Sequence, residues 1–205
     1  AQRAGSGNPV QFRVRRDKTE MEFAVRPVET CDYGYDVSTE NIINASANGK
    51  AVRIARGMMR FAETDEELAT VVGHELAHNL MGHIDAGQTN VMIGYVTDLL
   101  FALGTGVDTG GLFTDMGRQA YSQEFETEAD YVGLYLMARA GYDITGTPNF
   151  WRRMGTEGPS AIRTDHASSH PAAPYRYISL EKTVAEIVRK RADRLPLTPE
   201  MKKAD

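Results

Sequence analysis

The sequence predicts an α+β fold, mainly helical with a small β-sheet, and three observations carry that reading. Strand-like alternation of apolar residues is concentrated near the N-terminus, helical spacing takes over from about residue 64, and turn-forming residues separate the segments. Val10, Phe12 and Val14 share one face of an extended run. Met21, Phe23 and Val25 share one face of a second, which Pro27 ends, with a turn near Asp17 and Lys18. A further pair of short extended segments is expected at 42–45 and 51–55, around a turn at Asn48-Gly49.

Thr64 followed by Glu67 has the spacing of a capping box, in which each side chain satisfies an orphan amide at a helix start. Asp65 and Glu66 suit the positive end of that helix dipole. Leu68, Val71, Val72 and Leu76 continue at helical spacing, and Gly82 is the expected stop. From Thr89 to Gly117 the chain is apolar, glycine-rich and poorly periodic, which reads as a helical flap or lid more than a core element. A long helix over about 119–140 ends at Gly141, and a shorter one covers about 150–154 before a polar loop over 155–169. A final helix starts at Pro174 and runs to about Arg191.

The 205 residues suit a single domain, 1–205, with N-terminal strands over 1–36, a core over 37–191 and a tail over 192–205. The net charge of -5 argues against a nucleic-acid partner, and the basic runs at 13–16 and 189–191 are short enough to be solvated surface. Cys31 is the only cysteine, so no intramolecular disulfide can form. The most apolar segment, 91–107, is interrupted by Asp98 and three glycines and falls short of a membrane span. A chain opening at Ala1 without methionine is read as open to prior removal of an export segment or lipid anchor.

His74-Glu75-Leu76-Ala77-His78 is an HExxH sequence inside the capped helix. Residues four apart share a helix face, so both imidazoles reach one ion, and Glu75 is placed to act as a general base. A catalytic zinc site usually takes a third protein ligand and leaves a position for water. The metzincin pattern is excluded because it needs glycine at 81 and histidine at 84, where the chain has Met81 and Ile84. His83 lies five residues after His78, about 140° round an ideal helix, and is expected at a helix end or in a hydrogen bond, away from the ligand face. The acidic candidates are Asp98, Glu124, Glu126, Glu128 and Asp130. Three, four and seven residues after Glu126 stand Ala129, Asp130 and Gly133, small or functional residues that let another helix approach. Glu126 is therefore the expected third ligand, with Asp130 a turn later accepting the second ring N–H of a ligand histidine. Glu124 and Glu128 read as surface charge.

These residues resemble the zinc metallopeptidases that include the type 1 CAAX prenyl protease, HtpX, the mitochondrial Oma-type protease and periplasmic quality-control proteases. The likeness rests on the HExxH, on Glu126-Thr127-Glu128-Ala129-Asp130 as an ExxxD segment, and on Ser169-His170-Pro171 followed by Arg176. The approach Asn44-Ala45, Val52 to Gly57 and Asp65 to Ala69 adds to it. It covers about residues 37–182 and implies a zincin-like α+β fold, one Zn2+ per chain, a polypeptide substrate and endopeptidase action in protein quality control. His170 would stabilise the oxyanion or cap the metal as a removable inhibitory ligand. Arg176 would hold that loop, bind substrate backbone or form a structural salt bridge. Likeness to the soluble branch implies a bacterial envelope, periplasmic location with peripheral membrane attachment at most. Two alternatives stand beside this expectation: a zinc-braced, chaperone-like binder of clients without turnover, and a zinc hydrolase of non-peptide bonds.

Overall fold

In the computed structural model, residues 8–26, 32–119, 122–157 and 174–201 are described. They fall into two compact units, Ala1–Tyr33 and Gly34–Asp205. The first is a hairpin of β1 (Val10–Arg16) and β2 (Thr19–Val25), in which Val10 pairs with Val25, Phe12 with Phe23 and Val14 with Met21. Asp17 and Lys18 both take positive φ, the pattern of the tight turn whose twist matches that of the strands. Pro27 and Cys31 lie outside the described residues.

The second unit carries a three-stranded sheet of β3 (Gly34–Ser38), β4 (Ala45–Ala47) and β5 (Ala51–Ala55). Its order is β3-β5-β4, with β3 parallel and β4 antiparallel to β5. The expected segment at 42–45 thus begins only at Ala45, and β3 was not expected at all. β3 is only five residues long, and its two apolar residues, Tyr35 and Val37, are too short an alternation to stand out in the sequence. The β4–β5 turn is built on Asn48, whose side chain accepts from the amides of Lys50 and Ala51, and on Gly49 at φ +84°.

Seven helices follow among the described residues: α1 (Arg56–Phe61), α2 (Asp65–Leu80), α3 (His83–Thr105), α4 (Leu112–Gln119), α5 (Ser122–Ala140), α6 (Thr147–Glu157) and α7 (Pro174–Ala192). Thr64 caps α2 by accepting from the Glu67 amide at 3.3 Å, but Glu67 reaches back to the amide of Glu63 rather than of Thr64. The same carboxylate takes Arg153 of α6 at 2.6 Å, which explains the displaced box. The expected flap is a helical hairpin, α3 against α4. Asp98 of α3 accepts from the amides of Phe113 and Thr114 and from the hydroxyls of Thr109 and Thr114, so one carboxylate caps the start of α4. Burial works against the charge, yet those donors hold the Asp98 pKa at about 2. Among the described residues no helix is long and apolar enough to cross a membrane.

The core lies where α2, α5, α6 and α7 meet the sheet, around Val52, Val71, Leu134, Tyr135, Phe150, Leu180 and Ile187. Helices α2 and α5 cross at Gly73 and Gly133, where a Cβ on Gly133 would stand 3.0 Å from the Gly73 carbonyl and from the His74 amide. That contact sets the distance between the HExxH helix and the acidic helix. Asn79 then ties α2 to the sheet, accepting from the Gly49 amide at 2.7 Å and donating to the Ala51 carbonyl at 3.1 Å.

Gly133→Ala is expected to destabilise the fold by about 1–2 kcal/mol, because overpacking against backbone exceeds the roughly 1 kcal/mol gained in helix propensity. Gly87→Ala, where nothing lies within 4 Å of the new Cβ, is expected to stabilise by about 0.5–1 kcal/mol. Urea denaturation of the two variants checks the opposite signs. Asp98→Ala is expected to speed hydrogen exchange at the amides of 113 and 114. In the unaltered chain the cap is fully present above about pH 4 and is lost as pH falls through about 2.

Candidate metal centre

Three helices converge on one buried cluster. His74 and His78 come from α2, Glu126 and Asp130 from α5 and Arg176 from α7, and all five are buried. His74 Nε2 stands 3.2 Å from His78 Nε2 and 3.4 Å from Glu126 Oε2, and His78 Nε2 stands 3.3 Å from Glu126 Oε1. Ligands at about 2.0–2.1 Å from a tetrahedral ion are about 3.3 Å apart, so the separation of the two imidazole nitrogens and the distance of each to one Glu126 oxygen have the size that such coordination needs. The donor set, two imidazoles and a carboxylate with no sulfur, suits a divalent metal ion.

The carboxylates are arranged around that triangle by one cation. Arg176 donates through Nε and Nη2 to the two oxygens of Asp130, both at 2.8 Å, and its Nη1 stands 3.0 Å from Glu126 Oε2. Asp130 Oδ1 in turn lies 3.0 Å from His74 Nδ1, on the side of the ring away from the other two donors. The bidentate guanidinium thus orients one member of the triangle directly and a second through Asp130. Burial raises the Asp130 pKa, but the charge and hydrogen bonds of Arg176 outweigh it and the net shift is downward; Arg176 is correspondingly held charged. At His74 burial opposes an imidazolium, yet hydrogen bonds and charge from Asp130 and Glu126 push the metal-free pKa up to about 10.

Trp151 of α6 closes one wall, with its ring 5.1 Å from that of His74 and the Arg176 guanidinium 5.1 Å over it. Nothing in the sequence linked this tryptophan to the HExxH, because their proximity is made by the α2–α6–α7 packing alone. Glu75 is buried on α2. Glu124 is exposed, in keeping with a surface charge, but Glu128 is not a free surface group: its Oε2 lies 2.8 Å from His83 Nε2. The correction has a local cause, since Gly82 at φ +71° ends α2 and turns the chain so that α3 begins with His83 folded back toward α5. Asp98 is spent on its cap. The Ser169-His170-Pro171 motif lies outside the described residues.

A cluster of this kind, an HExxH helix facing an acidic third donor, defines a metallopeptidase site. The sequence profile of peptidase family M48 matches residues 11–184, and the chain belongs to that family. Its relatives include the mitochondrial metalloendopeptidase OMA1 of Arabidopsis thaliana, 32% identical over 79% of this chain and 34% of the relative. The OMA1 of Schizosaccharomyces pombe is 28% identical over 70% of this chain and 44% of its own length. The beta-barrel assembly-enhancing protease of Escherichia coli K12 is 27% identical over 55% of this chain and 26% of its own. The chain therefore spans less than half the length of these relatives.

Two outcomes follow from the electrostatics. Arg176→Met leaves two buried carboxylates without their cation and is expected to cost about 3–5 kcal/mol in the metal-free protein, and less once a metal is bound, as measured by denaturant unfolding of both forms. A divalent ion must displace the proton from His74, so its apparent affinity is expected to rise with pH below about 10, by on the order of tenfold per unit. Chelator competition between pH 6 and 9 reads that slope. The stability that protonated His74 lends the metal-free fold is fully present below about pH 6.5 and fades as pH rises through about 10.

Proposed function

We propose that the chain is a zinc-dependent endopeptidase that cuts extended stretches of misfolded or membrane-associated proteins. The observation that carries this reading is the meeting of His74 Nε2 and His78 Nε2, 3.2 Å apart on the helix that also carries Glu75, with the Glu126 carboxylate, whose Oε2 lies 3.4 Å from the first nitrogen and whose Oε1 lies 3.3 Å from the second. Zinc is favoured over harder ions because two of the three donors are imidazoles, and bound there it would supply a Lewis acid that polarises a carbonyl and acidifies a water to near neutral pH.

Glu75 takes the proton from the attacking water and later hands it to the leaving amine. His74, His78 and Glu126 hold the ion, Asp130 orients His74, and Arg176 fixes Asp130 and Glu126. His170 serves either as oxyanion stabiliser or as a removable cap over the metal, roles that rest on the sequence motif. Strand β4 lies at an edge of the sheet, whose β4–β5 turn and strand β5 are tied to α2 through Asn79, and an extended substrate can be laid along that edge as an added strand. The quality-control role rests on likeness to proteins named as OMA1 and as a beta-barrel assembly-enhancing protease. A bacterial envelope location rests on the second of these alone, the OMA1 relatives being mitochondrial by name. Client binding without turnover gains no support from relatives that are all named as proteases or endopeptidases.

The test is hydrolysis of an unfolded protein such as casein by the zinc-loaded chain. Glu75→Gln is expected to keep zinc and lose at least about 10²-fold in turnover, the scale of a positioned general base. Cleavage undiminished in zinc-replete Glu75→Gln removes Glu75 from the role of base. Zinc occupancy without any cleavage in the unaltered chain leads to His170→Ala, in which released activity identifies a cap.

A further inference from the structure

The two histidines of the triangle are braced in different ways, and the second brace involves a residue outside the HExxH. His78 turns its Nε2 toward His74 and Glu126, which leaves Nδ1 on the far side of the ring. There it meets the Nδ1 of His83, at 3.0 Å. His83 is 5% exposed, stacked at 4.4 Å on the ring of Phe125, and its other nitrogen lies 2.8 Å from Glu128 Oε2.

We propose that His83 is a positioning residue for the metal centre, passing the restraint of Glu128 on to His78. The inference rests on the reading of His74, His78 and Glu126 as ligands. Two imidazole nitrogens in contact need one proton between them, so one must donate and the other accept. A His78 that gives its Nε2 lone pair to a metal is neutral and carries its proton on Nδ1, making it the donor. His83 must then accept at Nδ1, carry its own proton on Nε2 and donate it to Glu128. Every proton along His78–His83–Glu128 is thereby assigned; the stack on Phe125 fixes the plane of the middle ring, and its contacts with His78 and Glu128 fix which nitrogen faces each. The arrangement reproduces with an interposed imidazole what Asp130 does directly for His74, and it explains why His83 is buried although it points away from the ligand face.

Two substitutions separate positioning from bulk. His83→Phe keeps a ring to stack on Phe125 but removes the acceptor, and His83→Asn keeps an acceptor near the place of Nδ1. Zinc affinity by chelator competition is expected to fall 10- to 100-fold in His83→Phe, the scale for losing an outer partner of a ligand histidine, and to be largely restored in His83→Asn. The visible bands of the cobalt-substituted protein are expected to shift in the first variant and to return in the second. Adding Glu128→Leu to His83→Phe should cost little more, because both act through one chain of contacts. In the unaltered zinc-loaded protein, nitrogen-15 spectra of the rings should find His78 protonated at Nδ1 and His83 at Nε2. Wild-type affinity and cobalt spectrum in His83→Phe, or His83 protonated at Nδ1, would overturn the proposal. An unaltered chain that takes up no zinc or cobalt would instead overturn the ligand reading beneath it.

Discussion

The buried contact of Arg176 with Asp130 and Glu126 is the constraint on which the rest of the site depends. It joins the last helix to the acidic helix, and through Asp130 it reaches the first histidine of α2. Two carboxylates and an imidazole buried among apolar side chains repel or desolvate one another unless a cation sits between them. One planar guanidinium meets both needs, because its fork matches the two oxygens of Asp130 while a third nitrogen remains for Glu126. Removing the charge of Arg176 leaves both carboxylates buried without a counterpart. The cluster is therefore a condition on how α2, α5 and α7 pack as well as the proposed site of chemistry.

Close approach of the helices makes that cluster possible. With a side chain at Gly73 or Gly133 the backbones of α2 and α5 would part by a few tenths of an ångström, and the distances from His74 and His78 to Glu126 would lengthen with them. The tie through Asn79 brings the β4–β5 turn and β5 to the same helix, so the α2 backbone serves as the common reference for the proposed histidine donors, the proposed base and the sheet alike. Trp151 packs against both His74 and Arg176, its ring 5.1 Å from each.

Local signals account for most of what was legible beforehand. The helices over 65–80, 122–140 and 174–192 follow from caps, periodic apolar residues and stopping glycines, all of which act within a few residues. The β1–β2 register follows from alternation. Local signals also mislead where a tertiary partner competes: Glu67 is drawn toward Arg153, which moves its capping bond by one residue. Strand β3 is not legible because two apolar residues in five are too short a pattern, and the partner of Glu128 is not legible because helical spacing ranks neighbours on its own helix only.

By itself the sequence determined the chemistry available: two imidazoles and a carboxylate on one helix, an acidic segment on another, and an arginine further on. Those are facts of residue type and helical period, and they hold whatever the helices do next. Tertiary structure alone decided which oxygen faces which nitrogen. It made Arg176 the clamp of Asp130 and Glu126, set Trp151 against His74, and folded His83 behind His78 to meet Glu128. The physical reason is that hydrogen-bond and ion-pair partners are selected by distances of about 3 Å between elements remote in the chain. No periodicity within one element encodes such a distance.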